Sequence, residues 1–496
     1  MVSNSSSGAA KSLFASLAVL GSSSLVTILA GLFSAKIAAL LLGVEGVGTL
    51  GVALTIVSGT AALVMQGGDQ AVVRLCGMLD QKGGKSSSGA VVSAARKNLF
   101  FATLLALATA WLFTGSISRW LFGGSSPGWW LPMVVLSGCL YGFYLLQVST
   151  LVANFEVNAI ASLAVKISFI SPIVSFILFY WLGAKGVIPS VLISNMGIVA
   201  VSLFVVDKRV ALLKESSVTK KYRRKLLVIG LPLVPANIMS SVTTLVVIMG
   251  INRYMSLIEV GYYRSSKIIS VGYLVIINSV IYKDFFPKIS NLSKNQNEFQ
   301  KLCETQIRFI LYFLTPVLVA VVASMPISVR LLLSEDFLPA VELIQWQVVG
   351  DLFMVIGAVL STILFVRSGS VVKLFLEVGS SFALVFFSLI GIKSFGMTGL
   401  GAGYFLSSCF FVLLSLLLLH LDGFVLPRKI LNHLLFSTVA ILSIPFLISI
   451  TKIDSLRLIG IPIIAVTIYP IAKSEFRDEI LRLIIMAKKK LSLHKY

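Results

Sequence analysis

Residues 186–206 read GVIPSVLISNMGIVAVSLFVV, and residues 207–225, directly after them, read DKRVALLKESSVTKKYRRK. The first stretch runs for 21 residues without a charged side chain, the length an α-helix needs to cross the hydrocarbon core of a bilayer. The second carries eight cations and two anions in 19 residues. Charged side chains at bilayer depth cost about 2.5–3.5 kcal/mol each on insertion scales, so this segment stays outside the core. An apolar run that ends in a cationic one is how a membrane span meets the cytoplasm.

Worked outward from there, the same alternation covers the chain. Apolar runs of crossing length fall at 12–34, 49–68, 99–117, 130–152, 158–182 and 186–206. Six more follow at 226–250, 260–282, 309–333, 346–366, 374–392 and 399–420, and a last pair at 434–450 and 456–472. No stretch between them is long enough for a soluble domain. The expected fold is an all-α polytopic membrane protein of about 14 transmembrane helices, in two six-helix lobes plus a C-terminal pair. Residues 1–206 would form the N-lobe, 207–225 a basic cytoplasmic linker, 226–420 the C-lobe, and 421–496 the last pair and a cytoplasmic tail. An internal echo supports the halves: Leu42-Gly43-Val44-Glu45-Gly46-Val47-Gly48 resembles Met255-Ser256-Leu257-Ile258-Glu259-Val260-Gly261. Aligning Gly48 with Gly261 gives an offset of 213 residues and keeps the spans in phase. Six spans per repeat makes the two halves parallel in topology.

The composition fits that reading. Only 12% of residues are charged and 57% are hydrophobic, against about 25% charged in soluble proteins. The net charge of +21 reflects topology rather than nucleic acid. With the amino terminus inside, 30 of the 41 Lys and Arg residues fall in cytoplasmic segments, as the positive-inside rule requires. The first apolar run is too long for a signal-peptide core and Lys11 is a weak basic lead, so no cleaved signal is expected. Cys76, Cys139, Cys303 and Cys409 are far apart, with neither metal-ligand spacing nor a disulfide framework.

Three motifs resemble chemistry and are better read as structure. Gly46-Val47-Gly48-Thr49-Leu50-Gly51 matches the dinucleotide fingerprint, with Asp69 near the expected acidic position. No strand precedes it, so the glycines are read as close helix contacts. Gly83-Gly84-Lys85-Ser86 resembles a phosphate loop, but Leu79 stands where the earlier glycine belongs. His420, His433 and His494 lie at cytoplasmic ends or in the tail. Neither an enzyme activity nor a metal or organic cofactor is expected.

The charges inside the apolar blocks are the candidate site. Lys166 is the deepest cation, with Ser168, Ser171, Pro172 and Ser175 nearby; it either faces a cavity or snorkels to the interface. Lys36 closes span one and Arg253 closes span seven, four residues apart after the repeat alignment. Arg264 and Lys267 share one face of span eight. Lys36, Arg253, Arg264 and Lys267 either make a cationic outer vestibule suited to phosphate or are ordinary interfacial anchors. Asp69, Asp351 and Glu377 either pair with neighbouring cations or couple an ion. Asp351 is the best coupling candidate, because the run around it is otherwise apolar. Pro232 and Pro235 interrupt span seven and mark either a hinge or a static kink, with Asn237 beside it.

At this point the chain resembles a Wzx-type polysaccharide flippase of the multidrug/oligosaccharidyl-lipid/polysaccharide superfamily. The resemblance is carried by Lys36 through Gly48, with Gly67, Gly68 and Arg74 closing span two. In the second half it is carried by Gly230-Leu231-Pro232, Arg253 through Tyr263, and Phe286-Pro287-Lys288-Ile289-Ser290. It implies two six-helix lobes, a central cationic cavity and alternating access. The implied cargo is an undecaprenyl-pyrophosphate-linked oligosaccharide, such as an O-antigen unit, moved from the cytoplasmic to the periplasmic leaflet of the bacterial inner membrane. Only the general role of binding the anionic group carries over, onto Lys36, Lys166, Arg253, Arg264 and Lys267. The resemblance leaves the driving force open between a Na+ or H+ gradient and none, and names polysaccharide polymerase and chain-length machinery as partners. A lipid II flippase and a multidrug or cation exporter of the same superfamily are the rival readings. The exporter is disfavoured because the intramembrane charges lean positive.

Overall fold

A computed structural model describes residues 3–80, 87–122, 129–154, 156–207, 217–231, 234–281, 285–286, 289, 296–451 and 462–464. Most of span fourteen, the tail, residues 208–216 of the linker, the glycine loop at 83–86, Pro232, Pro287 and Lys288 lie outside the described residues. Among the described residues every regular element is a helix. Hydrocarbon offers no hydrogen-bond partner, and a helix satisfies each backbone N–H and C=O within its own segment. Seven described helical segments are long and apolar enough to cross a membrane, and three of them, at 43, 50 and 51 residues, have the length of two crossings. The helices gather into two compact units, Met1–Ile268 with Leu332–Asp336, and Ile269–Leu331 with Phe337–Tyr496.

The first unit begins with α1, Ser3–Met65, broken at Gly43, whose φ of 66° and ψ of −170° are not helical. Unbroken, its 43-residue apolar part would extend about 65 Å, twice the hydrocarbon thickness. Glycine supplies the positive φ that ends the first crossing. Next come α2 (Gly68–Asp80), α3 (Ser87–Phe122), α4 (Trp130–Ala153), α5 (Val157–Ser168), α6 (Ile170–Leu182), α7 (Val187–Asp207), α8 (Ser217–Gly230), α9 (Val234–Tyr254) and the start of α10 (Leu257–Val280). The break between α9 and α10 falls at Ser256, and 256 minus 43 is again 213. There the Ser256 hydroxyl donates to Glu259 and accepts the Ile258 N–H at 3.2 Å, capping α10.

One span read as continuous in the sequence is interrupted. Span five divides at Phe169 into α5 and α6. Pro172 lacks the N–H that the Ser168 carbonyl would accept, so the helix stops and restarts with the proline in its first turn. Of span seven, α8 is described to Gly230 and α9 from Val234, and residues 232–233 between them lie outside the described residues.

Polar contacts fasten the ends of this unit. The Ser137 hydroxyl donates to the Val191 carbonyl at 3.1 Å and accepts from the Asn195 amide at 2.7 Å, joining α4 to α7. Arg96 of α3 donates to Gln147 of α4 at 2.9 Å and pairs with Asp207 of α7 at 2.8 Å. Arg223 holds α8 on α3 by donating to the Asn98 carbonyl oxygen at 2.9 Å, while the Asn98 amide donates to the Arg223 carbonyl at 3.2 Å.

The second unit holds the end of α10 with α11 (Gln296–Ala323), α12 (Met325–Leu332), α13 (Ala340–Ser368), α14 (Ser370–Leu421) and α15 (Arg428–Thr451). α14 turns back on itself at Gly396, where φ is 61°. A Cβ on Gly391 would lie 2.0 Å from the Gly399 carbonyl oxygen, and one on Gly403 would lie 2.6 Å from the Phe387 carbonyl oxygen. Contacts that step back by four on one arm and forward by four on the other mark an antiparallel hairpin. α13 packs into it: Gly350 and Gly357 seat the rings of Tyr404 and Phe411, which a Cβ would meet at 2.6 and 2.2 Å. α15 lies on α11 through Thr315 to Ser437 at 2.8 Å and Tyr312 to His433 at 3.1 Å.

Candidate functional site

The first unit encloses a cavity of about 540 Å³ lined by α1, α4, α6, α7, α9 and α10. Eleven of its nineteen lining residues carry hydroxyls, among them Ser34, Thr55, Ser58, Tyr141, Ser171, Ser175, Ser190, Ser194 and Thr244. Asn195 adds an amide, Arg264 and Lys267 add the positive charge, and none of the lining residues is a carboxylate. The volume lies in the usual range for small-molecule sites, about 300–1,000 Å³, and hydroxyl-bearing residues are the majority of its described lining.

The helical register explains the hydroxyl surface. Ser171 and Ser175 are four apart on α6, Ser190 and Ser194 four apart on α7, and Ser240 and Thr244 four apart on α9, so each pair shares a face. Several donate their proton to their own helix: Thr55 to the Gly51 carbonyl at 2.8 Å, Ser190 to Val187 at 2.7 Å, Thr244 to Ser240 at 2.9 Å. A hydroxyl whose proton is used this way keeps its lone pairs for a donor arriving from the cavity. The Ser194 hydroxyl is buried with no hydrogen-bond partner among the described residues. Ser58 and Ser241 meet across α1 and α9 at 3.2 Å.

Both cavity cations come from α10, three residues apart. The Arg264 stem rests on Gly51, where an added Cβ would lie 3.2–3.3 Å from its methylene carbons. Gly51, first noted in a false dinucleotide motif, leaves the space this arginine occupies. The Lys267 ammonium sits 5.3 Å from the centre of the Tyr263 ring, a cation–π contact that orients it.

The other expected site residues fall elsewhere. Lys36 donates to the Leu333 carbonyl oxygen. Lys166 is exposed in the last turn of α5, and Arg253 is exposed in the last turn of α9. None of these three lines the cavity. Pro235 lies in the first turn of α9, while Pro232 is outside the described residues. Asp69 occupies the first turn of α2, where the helix dipole favours a carboxylate, with one oxygen buried and lacking a hydrogen-bond partner among the described residues. Glu377 is 3.5 Å from Lys373, one turn away.

Asp351 is the centre of a second polar cluster, inside the second unit. It is 1% exposed. One oxygen accepts from Ser270 at 2.7 Å and from Tyr273; the other accepts from Tyr404 at 2.8 Å. Gln347, also 1% exposed, donates to the Ser270 hydroxyl at 2.7 Å. Three hydroxyl donors on two oxygens solvate a carboxylate without water. The cluster joins α10, α13 and α14. Its tyrosines were not picked out from the sequence, although Ser270 and Tyr273 are three apart on one helix face.

The comparisons follow that geometry. The sequence profile of the polysaccharide biosynthesis protein family matches residues 37–342. No curated protein sequence matches the chain. Among solved structures the chain is similar to the lipid II flippase MurJ in an inward closed conformation, with a TM-score of 0.72 at 16% identity, over 93% of this chain and 99% of that one. It is similar to an inward-facing multidrug resistance MATE transporter of the MOP superfamily, with a TM-score of 0.66 at 13% identity over 83% and 95% of the two chains. A MOP superfamily transporter from Pyrococcus furiosus aligns with a TM-score of 0.53 at 13% identity over 84% and 94%. At these identities the likeness is one of fold, and it spans nearly the whole of each neighbour. The chain is an integral membrane protein that belongs to the polysaccharide biosynthesis protein family.

Proposed function

We propose that this protein is a flippase that carries a polyprenyl-pyrophosphate-linked oligosaccharide repeat unit, of the O-antigen or a related polysaccharide, from the cytoplasmic to the periplasmic leaflet of a bacterial inner membrane. The observation that carries the reading is the cavity itself: two cations, no carboxylate among the described lining residues, and hydroxyls on eleven of the nineteen. Arginine and lysine suit a pyrophosphate, and hydroxyls with free lone pairs suit the donors of a sugar. A cation exporter would need anionic groups in that place. The family membership and the MurJ-like and MATE-like fold support transport by alternating access between two six-helix lobes joined by the 207–225 linker, with both termini cytoplasmic and Pro232 and Pro235 as the hinge.

In this reading Asp351 is the group through which a Na+ or H+ gradient would act, and Asp69 and Glu377 are secondary candidates. Polysaccharide polymerase and chain-length proteins would receive the product. The test is deletion of the gene in its host. Lipid-linked repeat units should accumulate on the cytoplasmic leaflet and surface polysaccharide should be lost, with recovery by the wild-type gene. Normal periplasmic delivery without a competing flippase would overturn it. The likeness to MurJ favours a second reading, a lipid II flippase. Rescue of cells depleted of their lipid II flippase, without rescue of surface polysaccharide, would select that one instead.

A further inference from the structure

Helix α8, SVTKKYRRKLLVIG, is rich in cations, and none of its residues lines the cavity. One side of it is committed to the protein. Tyr222 and Leu226 are buried, and Arg223 is spent on Asn98 and on the face of Phe101, 5.0 Å from the ring centre. The other side is not. Arg224 and Lys225 are exposed. Val228, one turn further, is 67% exposed and Leu231 is 52% exposed. α2, which packs against α8, adds exposed Arg74.

A face that sets two bare cations beside two bare aliphatic side chains fits few environments. Water does not favour Val228 and Leu231, and hydrocarbon does not favour Arg224 and Lys225. The headgroup–acyl boundary suits both, with the apolar residues sunk to the acyl level and the cations among phosphates. Cytoplasmic exposure under the positive-inside rule accounts for the charges alone; it does not account for Val228 and Leu231 between them and the start of α9. The membrane this protein occupies supplies the complementary chemistry.

We propose that the outer face of α8 is a binding site for anionic phospholipid headgroups, with Arg224 and Lys225 on the phosphate and Val228 and Leu231 in the adjoining acyl layer. The site stands apart from the cavity, and its lipid is independent of which cargo the protein moves. It also lies at a point of leverage. α8 ends at Gly230, where an added Cβ would meet the Gln66 carbonyl oxygen at 2.2 Å, so a lipid on α8 bears on the junction of α1 and α2.

The test titrates phosphatidylglycerol into the full-length protein in a neutral detergent and reads the apparent affinity from the shift in thermal transition. Phosphatidylglycerol should stabilise the wild type and phosphatidylcholine should not. The double variant Arg224→Gln/Lys225→Gln should lose roughly 30-fold in affinity, about fivefold per cation near an anionic surface. Lys393→Gln, which removes another exposed cation from α14, should leave it unchanged. Inorganic phosphate in place of the lipid should give no shift; a shift equal to the lipid's would assign the face to a free anion and overturn the proposal. Hydrogen exchange of the wild type in nanodiscs needs no variant. Phosphatidylglycerol should slow exchange across 217–230 relative to phosphatidylcholine. Equal exchange in the two lipids, or a phosphatidylglycerol effect that survives the double substitution, would also overturn it.

Discussion

Gly48 and Gly261, 213 residues apart and equivalent under the internal repeat, touch each other. A Cβ on Gly48 would lie 3.0 Å from the Gly261 nitrogen and 2.5 Å from the Leu257 carbonyl oxygen; one on Gly261 would lie 2.1 Å from the Val44 carbonyl oxygen. These are backbone atoms and cannot rotate aside. The two helix starts therefore meet backbone to backbone at the glycines, with the Val44 side chain packed beside Gly261, the close approach small residues allow in membranes. Gly48→Ala or Gly261→Ala should each destabilise the protein by about 1–3 kcal/mol, the usual cost of overpacking. Gly31→Ala is the control, since nothing lies within 4 Å of its Cβ position. Thermal melts of the purified variants in one detergent check the contrast.

Arg264 and Lys267 share the cavity, and the other three expected cations do not. Arg264→Gln and Lys267→Gln should each lower delivery of lipid-linked glycan about tenfold or more, the effect of losing one charge-assisted contact to a desolvated anion, about 1.5–3 kcal/mol. Arg264→Lys should recover only part of it, because an ammonium does not reproduce the planar fork. Lys166→Gln, at an exposed position, should stay near wild type. Surface polysaccharide at matched protein level is the measurement. Equal loss in all three would argue for a cationic pathway that includes Lys166.

Tyr404 and Tyr273 both donate to Asp351. Asp351→Asn keeps the shape but presents an amide donor to hydroxyl donors, and should cost about 1–3 kcal/mol for a buried donor left unmatched. Tyr404→Phe removes one donor and leaves the rest, so it should cost about 1 kcal/mol. If Asp351 couples an ion gradient, Asp351→Asn also removes the dependence of transport on that gradient, which a purely structural role would leave intact. Uptake into vesicles with and without an imposed Na+ or proton gradient separates the two.

The sequence carried the helices further than it carried the site. Crossing length and charge are local properties, so the runs at 130–152 and 186–206 reappear as Trp130–Ala153 and Val187–Asp207 within a residue or two. The repeat offset of 213, found from a few glycines, recurs in the breaks at Gly43 and Ser256. Breaks inside a run were harder. Pro172 was noted beside Lys166, yet the division at Phe169 depends on which carbonyl the proline leaves without a donor. The cavity was half legible: Arg264 and Lys267 stood out because a charge in an apolar run is costly, whereas a serine there costs little and attracts no notice. The signal that would have found the rest is the spacing of four that pairs Ser171 with Ser175 and Ser190 with Ser194. The packing of Gly51 against Arg264 is a contact across 213 residues, and no local pattern announces it.

Ser194 ties that hydroxyl surface to a measurable conflict between stability and function. Its hydroxyl is buried and has no partner among the described residues, so its removal breaks no hydrogen bond among them. Alanine is also the better helix former. Ser194→Ala should therefore leave the melting temperature of the resting protein unchanged or raise it. Ser194 is among the residues that line the cavity, so transport of a glycan cargo should fall severalfold while the protein grows no less stable. A variant that is more stable and fully active would remove Ser194 from cargo contact and leave Ser190, Ser171 and Ser175 as the surface to probe.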